Sequence, residues 1–317
     1  MSQPLLRVQG LGVRHGPVSA VTDVSFDLHE GETLGLVGES GSGKSTLARA
    51  ILRLIPVSEG QVWWRGSDLL ACSGAQLRRQ RRDLQIVFQD PLASLNPRMR
   101  VGDALAEPLK IFEPELNAAV RNARVGQMLE RVGLTATMAH RYPHEFSGGQ
   151  CQRIGIARAM MLKPKVLICD EPVSSLDVSI QGQIVNLLVD LQAELGTAIL
   201  FISHNLAVVR HVSHRVMVMY RGRVVEMAAR DALFAGAVHP YTRALLAAVP
   251  DPTHAWVGAQ IVPAEGGGWA AQPSGGCVFH ERCPHVAPVC IDLVPHLENL
   301  DPQHVVACHR RRELVYS

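Results

Sequence analysis

The stretch Gly38-Glu39-Ser40-Gly41-Ser42-Gly43-Lys44-Ser45-Thr46 constrains this chain more than any other. It fits G-x-x-x-x-G-K-[ST], with Gly38, Gly43, Lys44 and Ser45 in the fixed places. Residues 33–37 before it are a short apolar run that reads as a buried strand. Residues 47–52 after it read as a helix. A strand, glycine loop and helix in this order turn backbone N–H groups toward phosphate oxygens, and the helix start adds partial positive charge. Lys44 can then reach the β- and γ-phosphates, and the Ser45 hydroxyl can ligate Mg²⁺. An ordinary Gly/Ser-rich turn ahead of a helix would leave the matching flanks unexplained.

A length of 317 residues allows a full α/β core and one smaller appendage. The formal net charge of +2 gives no reason to expect a nucleic acid or other polyanionic partner. Hydrophobic residues make up 47%, yet no run approaches the ~18 apolar residues of a membrane-spanning helix. Residues 1–7 lack the apolar region of a signal peptide. The expected location is the cytoplasm, with any membrane association made through a partner.

Along the chain, residues 5–28 alternate as strands of a small antiparallel sheet, broken up by Gly10, Gly12, Gly16 and Pro17. Residues 61–65 form another short strand, and 76–82 a basic helical segment that reads as a solvated face. Residues 84–89 make a strand ending in Gln89. Prolines at 91 and 97 exclude a regular helix over 90–98. From Val101 to about Leu162 the pattern is helical, and 91–156 reads as a helical insertion in the core. Residues 165–171 are an apolar strand ending in Asp170 and Glu171. Asp177 can cap the following helix, which Gly196 ends. Residues 198–204 form a buried strand with His204 at its tip, and Arg221-Gly222 is a turn between two further strands. Strands alternating with helices imply a largely parallel sheet. Ligands bind off the carboxyl ends of such strands. The phosphate loop, Gln89, Asp170-Glu171 and His204 therefore belong on one edge, around one triphosphate.

In that setting Asp170 would hold Mg²⁺, through water, and Glu171 could polarise the attacking water. Gln89 could contact Mg²⁺ or the water, and His204 the γ-phosphate. A lone Asp-Glu pair or a lone His is usually structural, so the reading rests on their joint position. A second anion site is predicted at Ser147-Gly148-Gly149-Gln150, where a serine and two glycines open a helix.

These residues resemble the ABC-transporter ATPases. Ser147-Gly148-Gly149-Gln150 resembles the family signature. The phosphate loop with Gly38, Ser40, Gly41, Gly43, Lys44, Ser45 and Thr46, then Gln89, Asp170-Glu171, Ser174-Ser175-Leu176-Asp177 and His204, follow in the family's order. The resemblance covers residues 1 to about 250. It implies a P-loop NTPase core of the ABC type, α/β, with an antiparallel β subdomain and the helical insertion. It also implies that two such domains sandwich ATP, each phosphate loop facing the other's signature serine.

Residues 86–99, 141–146 and 239–242 resemble more closely the oligopeptide/dipeptide importer ATPases, in particular the second, F-type subunit. So does the tail with Cys277, Cys283, Cys290 and Cys308. The implied function is the ATP-hydrolysing subunit of a peptide importer. It would pair with a homologous D-type ATPase subunit and dock on two permeases at the cytoplasmic face of the inner membrane. An extracytoplasmic binding protein would supply substrate. Nickel, glutathione or another small solute are alternative cargoes. A soluble ABC protein of DNA repair or translation would carry fused halves or a long coiled coil, and a P-loop kinase or GTPase would leave the signature unexplained.

Three departures from the family pattern stand out. His15 occupies the place of the aromatic that stacks on adenine, Asn205 follows His204 where Asp is usual, and an additional glycine in Gly275-Gly276 is expected to be neutral. Composition shifts after Pro250, so the expected division is 1–250 and a linker-rich, cysteine-rich extension over 251–317. An odd total of seven cysteines in such a chain argues against a disulfide framework. The tail spacing C-x5-C-x6-C-x17-C is neither a zinc ribbon nor the common ferredoxin run. Four thiolates still suggest a metal centre, a [4Fe–4S] cluster being favoured over zinc or free thiols. That cluster would be mainly structural, fixing the tail against the ATPase domain, and, lying in a separate segment from the phosphate loop, would do no direct chemistry on ATP.

Overall fold

A computed structural model describes residues 3–248 and 275–315. Strands β1 (Leu6–His15) and β2 (Val18–Leu28) pair antiparallel. β3 (Thr33–Val37) leads through the glycine loop into helix α1 (Lys44–Ile51). β4 (Glu59–Trp64) and β5 (Ser67–Asp68) complete a four-stranded antiparallel sheet of order β2-β1-β4-β5. The glycines of β1 do not end it as expected. The strand runs on through register shifts at Val8/Leu11 and Leu11/Val13, where Gly10 takes a positive φ of 57°.

Helix α2 (Gly74–Gln80) and strand β6 (Leu84–Val87) follow. The insertion then consists of α3 (Val101–Phe112), α4 (Ala118–Arg131), two short 3₁₀ turns and α5 (Gly148–Met160). β7 (Val166–Asp170), α6 (Val178–Leu195), β8 (Ala198–Ile202), α7 (Leu206–Val212), β9 (Arg215–Tyr220) and β10 (Arg223–Ala229) return to the core. Helices α8 (Arg230–Gly236) and α9 (Pro240–Ala247) come next.

Among the described residues the main sheet has eight strands, the last two from the tail: β11 (Glu298–Asp301) and β12 (His304–Val306). Its order is β11-β12-β10-β9-β3-β8-β7-β6, with β9, β3, β8, β7 and β6 parallel. Both faces are covered, and the period of two sorts residues between two cores. Leu34, Leu36, Ile168, Leu200 and Met217 pack with the antiparallel sheet and α1. Leu167, Cys169, Phe201 and Val218 pack with the helical insertion.

The described tail packs onto the core. β12 pairs with β10 through Glu226↔Val306 and Met227↔Val305, so it extends the central sheet. Cys277, Val278, Phe279 and Cys290 are buried in the core that holds the helical insertion. The residues between 248 and 275, including most of the expected linker, lie outside those described. Gly276 is not neutral. At φ 82° a Cβ there would stand 2.2 Å from the Ile291 carbonyl oxygen, so only glycine lets the backbone pass.

Candidate functional site

The phosphate loop leaves the end of β3 and enters α1 through Gly43, at φ 100°, where a Cβ would lie 2.4 Å from the Ala20 carbonyl oxygen. Lys44 is buried and folded back on its own loop. Its Nζ donates to the carbonyls of Gly38 and Glu39 at 2.8 Å each. Desolvation lowers its pKa, opposed by the fields of Glu171, Asp170 and Glu39. Ser40 and Gly41 are exposed at the loop crest, and Thr46 is half-buried in the first turn of α1.

The strand ends meet as expected. The Ser45 hydroxyl donates to Asp170 Oδ1 at 2.7 Å. Burial raises the Asp170 pKa, partly offset by the Ser45 hydrogen bond and by Arg49 and Lys44. A hydroxyl and a carboxylate at this separation are hard oxygen donors of the kind Mg²⁺ takes, so the pair fits that ion. Beside it, Glu171 Oε2 lies 3.1 Å from His204 Nδ1 and accepts from Gln89 Nε2 at 3.5 Å. Glu171 itself has a positive φ of 49° and anchors its backbone N–H on the Ile202 carbonyl of β8. That left-handed turn aims the carboxylate off the strand end toward Gln89 and His204. Asn205 answers the departure noted at that position. Its Oδ1 accepts from the N–H groups of Ala207 and Val208 at 3.0 and 3.3 Å, capping α7 and holding the loop that carries His204.

Other predicted residues stand apart from this cluster. His15 is exposed at the tip of the β1–β2 hairpin. Ser147 caps α5 in a capping box: its N–H donates to Gln150 Oε1 at 3.0 Å, and Gln150 N–H to Ser147 Oγ at 3.3 Å. Ser147 and Gly148 are exposed, and the Gly149 and Gln150 backbone continues the helix start. Asp177 takes the N-cap position of α6 with an extended backbone, but its side chain makes no capping bond, contrary to expectation. It is exposed instead, next to Val178, which is 84% exposed.

The turns at 90–98 connect Gln89 to the insertion. Arg158 of α5 bridges them, donating to the Ser94 carbonyl at 3.0 Å and to Glu107 of α3 at 2.7 Å. A groove of about 210 Å³ opens here between Ile86, Phe88, Pro91 and α5. The Gln152 amide faces it, buried and with neither its nitrogen nor its oxygen hydrogen-bonded.

In the tail, Cys277, Cys283, Cys290 and Cys308 line one cavity together with His280, His285 and His309. Its volume is about 10 Å³, which is room for about one water. Burial pushes the Cys308 thiol up to about 11, a backbone hydrogen bond from Arg310 opposing it, and burial also raises Cys277 and Cys283. The donor types suit a thiophilic metal, but as they stand the sulfurs are not gathered around one ion. Among the described residues no group of three or more His, Cys, Asp or Glu could hold a metal ion. Neutral thiols pack as small hydrophobes and have no charge to gather around a common point.

Sequence reasoning missed the contact between this tail and the phosphate loop. Arg282 donates to both carboxylate oxygens of Glu39, at 3.0 and 3.1 Å. Nothing in the spacing of 39 and 282 announces the pair. An arginine in a cysteine-bounded turn and a carboxylate inside the glycine loop are the signals available.

Comparison with known proteins agrees with this geometry. A family model described as ABC transporter matches residues 21–174, and one described as oligopeptide/dipeptide transporter, C-terminal region, matches 225–290. The chain is 51% identical to the oligopeptide transport ATP-binding protein OppF of Haemophilus influenzae over 92% of this chain and 88% of that protein. It is 50% identical to a probable peptide ABC transporter ATP-binding protein of Sinorhizobium fredii, over 98% and 91%. Among solved structures, cbiO1 of Clostridium perfringens, part of an ABC transporter complex, is similar at TM-score 0.66 and 28% identity, covering 74% of this chain and 92% of that one. A dimeric ATP-binding cassette, MJ0796, bound to ADP and Pi, is similar at TM-score 0.65 and 27% identity, covering 71% and 98%. The chain is thus an ATPase and belongs to the ABC-transporter ATP-binding proteins.

Proposed function

We propose that this chain is the ATP-hydrolysing, F-type subunit of an importer for peptides of the oligopeptide/dipeptide class. The observation that carries the reading is the convergence of Gln89, Glu171 and His204 beside the Ser45–Asp170 pair at the mouth of the phosphate loop. Lys44 and the loop amides hold the β- and γ-phosphates of ATP, and His15 borders the base. Ser45 and Asp170, with Gln89 nearby, would hold Mg²⁺, which would supply neutralisation of the phosphate charge. Glu171 accepts a proton from water as the water oxygen bonds to the γ-phosphorus and the bond to the ADP oxygen breaks. His204 orients Glu171 and donates toward the γ-phosphate.

The exposed Ser147–Gln150 helix start and Asp177 lie outside this cluster, which supports their serving the ATP of a partner ATPase. A homologous, non-identical D-type subunit is the proposed partner. Two permeases would complete the assembly, a cytoplasmic helix of one seating on the groove between Phe88 and α5 and placing the chain at the cytoplasmic face of the membrane, with an extracytoplasmic binding protein delivering cargo. The ATPase unit is taken to end near 250, with a cysteine-rich extension beyond. The meeting of four thiols on one cavity supports a metal there, a [4Fe–4S] cluster by preference, bound after the thiols deprotonate and reorganise.

Glu171→Gln tests the function. It keeps size and removes the base, so ATP should still bind while turnover in the assembled importer falls by about 10²-fold or more. The unmodified subunit alone should hydrolyse ATP poorly and gain rate on adding the partner ATPase and permeases. Near-normal turnover by the variant, or full concentration-independent activity of a monomer, would refute the assignment.

A further inference from the structure

The turn that carries two of the tail cysteines is seated directly behind the phosphate loop. Between Cys277 and Cys283, a short 3₁₀ turn (His280–Arg282) points Arg282 away from the thiol cavity and onto Glu39. Arg282 Nη1 donates to Glu39 Oε2 at 3.0 Å and to the Tyr220 hydroxyl at 3.3 Å, and Nη2 donates to Glu39 Oε1 at 3.1 Å. The guanidinium also lies 5.7 Å from the ring centres of both Tyr220 and Phe279. Its side chain is only 12% exposed, against 40% for Glu39.

Glu39 is held at two further points. Its N–H donates to the hydroxyl of Tyr241, a residue of α9, at 2.9 Å, and its carbonyl accepts from Lys44. Tyr241 is buried, and its ring packs tilted against those of Tyr220 and Phe279, with ring centres 4.5 and 5.5 Å apart. One loop residue is therefore fixed through its amide, its carbonyl and its carboxylate, and two of those three anchors come from outside the P-loop strand and helix.

This matters because Glu39 puts a negative charge on the loop that must receive a triphosphate. An uncompensated carboxylate there repels the ligand, and an unanchored loop must be ordered on binding. A bidentate arginine answers both needs: its fork cancels the charge and fixes the side chain. We propose that Arg282, backed by Tyr241, is a positioning residue for the ATP site: it neutralises Glu39 and holds the phosphate loop ready for the nucleotide, so the cysteine-bearing tail is a working part of that site. The inference rests on the loop being the ATP site.

The test uses the full-length chain with Mg·ATP as the probe, measuring Kd by calorimetry together with KM and kcat. Arg282→Ala should weaken Kd and KM about tenfold, the scale of an unpaired, partly buried charge, while kcat changes by less than about twofold. Arg282→Lys should recover part of the loss, since it restores charge without the fork. The double variant Glu39→Gln/Arg282→Ala should recover most of it, because no lone carboxylate remains. Glu281→Gln breaks another tail–core ion pair, with Arg221 at 3.2 Å, and should leave binding unchanged. An unchanged Kd in Arg282→Ala overturns the proposal. So does a double variant as weak as the single, which would mark a tail merely unfolded. Failure of the unmodified chain to bind ATP would instead sink the functional reading beneath it.

Discussion

The buried histidine at the start of α9 makes the stability of the tail–core junction depend on pH. His239 is 1% exposed, and its Nδ1 accepts the Tyr241 N–H at 3.1 Å, capping the helix. Glu226 is the carboxylate facing it, fully buried; it accepts from the N–H groups of Val238 and His239 and from His304 Nε2. Burial lowers the His239 pKa from 6.5 to about 4, with Glu226 opposing the shift. Protonation would bury a charge and place an N–H where the cap needs an acceptor. The ring is therefore neutral in the folded chain, whereas the unfolded chain takes up a proton below about 6.5. The unfolded state binds more protons between those values, so stability is full above 6.5 and lost as pH falls toward 4. The whole difference is worth about 3 kcal/mol, of which about 2 kcal/mol is gone by pH 5. His239→Asn keeps a capping oxygen and removes the titrating ring. It should cost about 1–2 kcal/mol at pH 7.5 through lost packing against Phe279, and the gap to the unmodified chain should close at pH 5. Urea unfolding midpoints at the two pH values measure this. Two curves that stay parallel from pH 7.5 to 5 would refute the account.

Cysteines placed at 94–105 should cross-link to a permease cytoplasmic loop in assembled transporter, since the groove beside Gln152 lies there; cross-links formed only from the tail would move the docking face elsewhere. Protein purified without oxygen should carry about four irons per chain if the tail thiols hold a [4Fe–4S] cluster. Cys283→Ser should then release the metal and expose the tail to proteolysis. One zinc per chain would overturn the cluster's identity, and no metal at all would overturn the metal reading.

Much of the core was legible because local pattern and tertiary role coincide. Apolar runs such as 198–202 sit in the middle of the parallel sheet, buried on both faces, so composition alone announces them. The glycine loop is constrained by its own backbone: Gly38 and Gly43 take positive φ beside other chain segments. The polar residues at strand ends share one edge because parallel strands all finish there, which is why Gln89, Asp170, Glu171 and His204 could be placed together from order alone.

Other features depend on segments far apart in the chain. The Asp177 side chain is free of its own helix although its position is that of a cap, and local rules alone would have closed that bond. Strands β11 and β12 are only four and three residues long, and it is the free edge of β10 that pairs with β12 and draws them into the sheet. The four tail thiols share a cavity, but their protonation decides whether they gather around a metal, and spacing says nothing of that. Residues 39 and 282 are joined by folding alone. The sequence by itself determined the chemistry of the ATP site, because a phosphate loop and its strand-end carboxylates are local geometry repeated along a parallel sheet. Only the tertiary structure decided that the tail leans on that loop, because an ion pair between distant residues has no local signature until the β-sheet and the edge-to-face and tilted aromatic cluster of Tyr220, Tyr241 and Phe279 bring them within 3.1 Å.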